Sequence, residues 1–254
     1  MLLTLGPAFG IEILCFESHR SERPILRRIS EEDHQQFSDL SDQQQGNFLV
    51  LIQAIYDNNF TFVSNRLDQD NSIINIEDRF GRTLLVLALL QKHDDIAMCL
   101  IEHGADVNQM TRHGANPLLS AKSIDMAEYL FQHGANLSYT DEDKDTLLHL
   151  AVKSGKTHLV EWLIKKGVPV NQKNKSEQTP LCLAVQITDV NIVKSLIKNC
   201  ARITEEILES AKTQCRLAEE RYSRLSIPTS TEYGKYLSEE LKACQEILGI
   251  LEIS

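Results

Sequence analysis

The side chains able to do acid–base or nucleophilic chemistry in this chain are few and scattered. Eight histidines and six cysteines occur in 254 residues. His149 lies in the segment Thr-Leu-Leu-His-Leu-Ala, three residues after Thr146. A histidine placed there could act as a general base near neutral pH. His103, His113 and His133 fall in turns after helices, and no Cys, Asp or Glu recurs with them at catalytic or metal-ligand spacing. Cys15, Cys99, Cys182, Cys200, Cys215 and Cys244 contain no CxxC pair. A Cys–His nucleophile would have to be assembled across the fold, with Cys15 as one candidate. There is no Walker loop and no GxGxxG. The expectation is a protein that is not an enzyme, with no catalytic residue, no metal site and no cofactor.

The bulk composition narrows the partners. Apolar residues at 42% and charged residues at 24% are ordinary for a globular protein. A net charge of −10 argues against binding nucleic acid through its phosphates, which needs a basic footprint, and against attraction to anionic membranes. Five of the cysteines fall in apolar runs, where a reduced thiol behaves as a small hydrophobe. The expected compartment is therefore reducing and cytoplasmic. No apolar stretch reaches the roughly 18 residues of a membrane span. The segment MLLTLGPAFGIEILCF has the apolar look of an export signal, but it lacks a basic start and Glu12 interrupts it. It is read as a structured or partner-binding extension.

The elements that would position these residues are revealed by self-alignment. Thr83, Asn116, Thr146 and Thr179 share one register, spaced by 33, 30 and 33 residues. Around them the chain reads GRTLLVLA, GANPLLSA, KDTLLHLA and EQTPLCLA, each closed by Ala88, Ala121, Ala151 or Ala184. A second element follows each: CLIEHGADVN, YLFQHGANLS, WLIKKGVPVN and SLIKNCARIT. A hydroxyl followed by Pro at the first helical position starts a helix, because the oxygen caps a free N–H and Pro lacks one. The alanines are small where neighbouring helices would approach closely. Gly104, Gly134 and Gly167 stand just past an apolar helix, where a left-handed residue ends it.

On these residues the chain resembles the ankyrin repeat, over about 120 positions. The resemblance implies an all-α solenoid of helix-turn-helix units with hairpin-like loops. Residues 77–109, 110–139, 140–172 and 173–203 are the four units, and 46–76 is a degenerate amino-terminal cap keeping Ala54, Val63, Leu67 and Asn75. The second unit is short by three residues at the turn between its helices. This predicts a tightened turn or a clipped first helix, or else a curvature change that opens a pocket. Leu84 replaces the usual Pro, and Cys200 the usual Gly. Residues 204–254 carry two apolar stripes, Ile207 to Leu225 and Leu237 to Leu251, predicting a two-helix carboxy-terminal cap with its second helix starting near Ser230 or Thr231. Residues 1–45 form a partly flexible extension.

The resemblance further implies a scaffold or adaptor that binds another protein through its turn tips and the concave face of its first helices. Arg79, Phe80, Arg112, His113, Asp141, Asp143, Lys144 and Lys175 fall on the tips, and Leu90, Lys153 and Ile187 on the first helices. Glu142 and Asp145 join the acids of the third tip. His149 occupies the repeat's own histidine position, where a structural hydrogen bond is the ordinary role. Repeats this divergent with unusual flanks are similar to those of ankyrin effectors that intracellular bacteria deliver into host cells, which would place the chain in a host cytosol. The alternative is an enzyme or enzyme inhibitor whose active element lies in the extension. The expected state is a monomer.

Overall fold

Short helices dominate because most apolar runs are cut by a capping residue before them, a left-handed residue after them, or both. A computed structural model describes residues 12–15, 25–28, 42–78, 80–110, 116–225 and 232–253. They divide into two compact units, Met1–Lys122 and Ser123–Ser254. None of the described helices is long and apolar enough to cross a membrane.

In the first unit, β1 (Glu12–Cys15) pairs antiparallel with β2 (Ile25–Arg28), Glu12 opposite Arg28. This two-stranded ladder lies in the extension, where the sequence carried no strand expectation. The helices are α1 (Asp42–Tyr56), α2 (Phe60–Gln69), α3 (Leu84–Gln91), α4 (Asp94–Glu102) and α5 (Pro117–Ser120). Helix α3 packs against α1, α4 and α5, while α2 packs against α1 and α4. Leu84 to Leu89 are consequently all buried, since a helix covered on several sides has no polar face to offer. Ala54, Val63 and Leu67 are buried in the α1–α2 pair. Asn75 ties that pair to the next: its Oδ1 accepts from the Asp106 amide at 2.8 Å.

The second unit holds α6 (Ile124–Gln132), α7 (Leu147–Lys153), α8 (Thr157–Lys165), α9 (Pro180–Gln186), α10 (Val190–Lys198), α11 (Glu205–Leu225) and α12 (Glu232–Ile253). Helices α7, α9 and α11 stack in one row, and α6, α8, α10 and α12 in the other. Asn171 repeats the role of Asn75, accepting from the Arg202 amide at 2.7 Å. Helices α11 and α12 pack lengthwise on each other, burying Cys215, Ala218 and Cys244 with Leu241 and Leu248 against them. The second of them starts at Glu232, one residue beyond the expected start, and residues 226–231 lie outside those described.

The three-residue loss has a local explanation. Helix α5 has four residues against eight in α3. Ala121 then turns extended, at φ −56° and ψ 135°, and Ser123 caps α6 by accepting from the Met126 amide at 3.1 Å. At the other inter-helix turns a left-handed residue makes the corner: Asn58, Lys92, Gly155 and Thr188 have φ of 52°, 64°, 62° and 60°. The clipped unit omits this corner, so its helix is shorter and its turn tighter.

After the second helices, Gly104 and Gly134 sit at φ 94° and Gly167 at 86°, and Cys200 is held at 64° in the same place. A Cβ in that region clashes with the following carbonyl at a cost of about 1 kcal/mol. Cys200→Gly is expected to stabilise the chain by about 1 kcal/mol and Gly134→Ala to destabilise it by about as much, as measured by urea unfolding.

Candidate functional site

Each tip that the structure describes is built on one Asx side chain. Asp78 Oδ1 accepts from the amides of Phe80 and Arg82 at 2.9 and 2.8 Å. Asp141 Oδ1 accepts from Asp143 and Asp145 at 2.9 and 2.8 Å. Asn174 Oδ1 accepts from Ser176 and Gln178, both at 3.0 Å. A left-handed residue completes each loop: Gly81, Lys144 and Glu177, at φ 68°, 58° and 60°. The side chain substitutes for backbone partners that so tight a turn cannot supply.

In the first unit this loop presents Phe80, 46% exposed. The Arg82 guanidinium lies 4.8 Å from its ring centroid, held by Asp78 Oδ2 at 2.7 Å. Leu90 is exposed at the end of α3. Arg79, Arg112 and His113 lie outside the described residues. In the second unit Asp143, Lys144, Lys175 and Ile187 are exposed, and the Lys175 amide donates to the Asp143 carbonyl at 2.8 Å, joining two tips.

One acid expected among the solvated groups of a tip is instead buried in the second unit, paired with a Lys153 side chain that stays exposed. Asp145 is fully buried, ion-paired to Lys153 Nζ and accepting from Asn174 Nδ2 at 2.8 Å. Burial would raise its carboxyl, but the bonds from Lys153 and Asn174 outweigh that and hold it below the usual carboxylate range. Asp145 is therefore not one of the solvated tip acids, and the Lys153 ammonium is engaged by it. Asp141, half-buried, has one carboxylate oxygen committed to its own loop.

His149, His103 and His133 are used in capping. His149 is fully buried, with Nδ1 2.8 Å from Thr146 Oγ1 and accepting from the Thr146 amide at 3.2 Å. Its Nε2 donates to the Gln178 carbonyl at 3.0 Å, reaching the next repeat. Burial pushes its pKa down. The neutral ring thus has both nitrogens occupied by the fold.

His103 gathers a constellation the sequence reading missed. Its Nδ1 stands 2.8 Å from the Cys99 carbonyl and 3.7 Å from Cys99 Sγ, and its Nε2 is 3.0 Å from Asp68 Oδ1. The spacing of four between Cys99 and His103 was visible; Asp68, 35 positions earlier, is brought in by α2 packing on α4. Although the order Cys–His–Asp suggests a nucleophile, the geometry opposes it. The Cys99 carbonyl and the Asp68 carboxylate are both acceptors, so the arrangement favours the protonated ring, which can donate from both nitrogens. The Asp68 bond raises its pKa, helped by the Cys99 carbonyl, and burial pushes the Cys99 thiol up. A ring whose protonated form is favoured, beside a thiol whose neutral form is favoured, is the opposite of what a thiolate nucleophile needs. The same register recurs in the second unit with the same result: His133 Nδ1 is 2.8 Å from the Tyr129 carbonyl, and Asn199 Nδ2 donates to the Ser195 carbonyl at 2.7 Å. These are helix-end caps.

An open groove of about 270 Å³ lies over α2 and α4, lined by Phe60, Asp95, Met98, Cys99 and Glu102. It is not at the shortened α5, where a pocket was one of the expectations.

His149→Ala leaves the Gln178 carbonyl and the Thr146 amide without their partner and is expected to cost roughly 2–4 kcal/mol in urea unfolding. Because His149's folded pKa lies below the ordinary 6.5, its contribution is complete above that pH. It fades as pH falls and the unfolded chain takes up the proton, so His149→Ala should flatten the acid side of the stability profile. Asp68→Asn should move His103's titration down toward 6.5 in proton NMR, since the Asp68 bond is the largest cause of its rise.

Against known families, a model described as ankyrin repeats (three copies) matches residues 51–141 and again 122–207. Alpha-latroinsectotoxin-Lt1a of Latrodectus tredecimguttatus is 30% identical over 97 residues, 37% of this chain and 7% of the toxin. Serine/threonine-protein kinase VIK of Arabidopsis thaliana is 36% identical over 94 residues, 36% of this chain and 21% of the kinase. The chain thus matches less than a quarter of the length of either relative.

Proposed function

The chain belongs to the ankyrin-repeat family, and from that premise we propose that it is a scaffold whose turn tips and first helices capture another protein. Repeats of this family are generally protein–protein interaction modules. The observation that carries the reading is the construction of the tips. Asp78, Asp141 and Asn174 fix each loop from within, so the loop's outward side chains are held with little further ordering to lose on binding. Phe80 and Leu90 in the first unit, and Ile187 in the second, are exposed apolar groups of the kind that anchor interfaces.

The polar groups around these anchors differ between tips. Lys144 and Lys175 stand beside Asp143 and Glu142, so the second unit offers both signs within neighbouring loops. A partner of alternating charge fits this pattern, and its rate of capture should fall with added salt. The fold's own polar bonds meanwhile occupy His149, His103 and Asp145, so the working reading is binding without catalysis.

In a cross-linking pull-down with the full chain, Phe80→Ala combined with Leu90→Ala is expected to reduce capture of the partner at least tenfold. That corresponds to about 1.4 kcal/mol, within the range of a single interfacial anchor. The melting temperature should stay close to that of the parent chain, since both side chains are exposed. Undiminished capture would place the interface elsewhere.

A further inference from the structure

The groove over α2 and α4 is a different surface from the tips and first helices, and its chemistry is one-sided. Asp95, Met98, Cys99 and Glu102 are spaced i, i+3, i+4 and i+7 and so line a single face of α4. Phe60, the first residue of α2, adds an aromatic ring that is 45% exposed. The middle of the groove is therefore apolar, while a carboxylate stands at each end. Asp95 makes no ion pair among the described residues. At about 1.5 Å per residue, Asp95 and Glu102 are separated by roughly 10 Å along the helix.

We propose that this groove binds an extended basic segment of a partner protein, in which an apolar side chain lies midway between two Arg or Lys residues four positions apart. Alternate side chains of an extended chain share one face, so residues i, i+2 and i+4 enter the groove together. The two outer residues lie roughly 13 Å apart, and their flexible stems close the difference to the two carboxylates while the middle apolar side chain rests on Met98 and Phe60. The stem of an Arg can lie along the same apolar floor with its guanidinium at a carboxylate, and the Phe60 face accepts a cation directly. The Cys99 thiol, kept protonated by burial, contributes soft apolar surface. The chain's net charge of −10 adds a general attraction for such a segment.

The test is methyl NMR on the full chain, following the Met98 signal during titration with acetyl-Arg-Ala-Leu-Ala-Arg-amide. Met98 is expected to shift saturably. Replacing both arginines by citrulline, or Asp95 by Asn, should weaken binding at least fivefold, and Phe60→Ala should weaken it as well. Asp95 and Phe60 are both exposed, so neither protein variant empties the core and folding persists. A Met98 signal that stays still overturns the proposal, as does one that moves equally with the citrulline peptide or in Asp95→Asn. Phe80→Ala with Leu90→Ala should leave this titration unchanged, so a failure here is distinguishable from a failure of the tip interface.

Discussion

A helix of seven to nine residues has four unpaired N–H groups at one end and four unpaired carbonyls at the other, so its terminal turns make up nearly its whole length. Between residues 84 and 198, every described helix is of this kind or shorter. The fold therefore depends on side chains and backbone corners that satisfy helix ends. Thr83, Asn116, Thr146 and Thr179 accept from amides at the starts of the first helices, and Ser123 and Asp189 do so for the second. His103, His133 and Asn199 donate to carbonyls at the far ends. Apolar burial supplies the driving force, but without these caps each buried layer would carry polar groups with no partner.

This requirement explains how the fold uses described residues of reactive chemistry such as His149, His103 and Asp145. Imidazole and carboxylate groups are good caps for the reason they are good catalysts: they offer strong donors or acceptors in fixed directions. His149 couples the start of α7 to the following tip, and Asp145 couples its own tip to Lys153 of α7 and to Asn174 of the following tip. Each is engaged on more than one side. The strongest imitation of an active centre, Cys99 with His103 and Asp68, resolves into a capped helix end in which the Asp68 bond raises the imidazole pKa. What remains for function is the surface that the caps hold rigid.

The repeat was legible in the sequence because its signals are local. Thr-Pro-Leu, the small alanines and the helix-ending glycines each act within a few residues of themselves, and the structure uses them as the spacing suggested. The consequence of the shortened second unit was legible too, since three residues can be removed only from the helix, the turn or both. Asp145 was misread because a run of acids at a tip looks solvated; its burial is decided by Lys153 eight positions on and by Asn174 in the next loop. The role of Cys200 was hidden for a different reason. A left-handed corner is imposed by the repeat's geometry even where the residue disfavours it, so type alone gave no sign that the corner survived. The groove over α2 and α4 was invisible because Phe60 belongs to the degenerate cap, where no repeat pattern marks which face is exposed.

The central claim is that the tips and first helices, held by the capping network, are the surface that meets a partner. Hydrogen–deuterium exchange of the full chain, alone and with the captured partner bound, tests this most directly. The account predicts slowed exchange in the loops around Phe80, Asp143 and Lys175 and at the ends of α3 and α9. Slowing confined to residues 1–41, with those loops exchanging as in the chain alone, would contradict it.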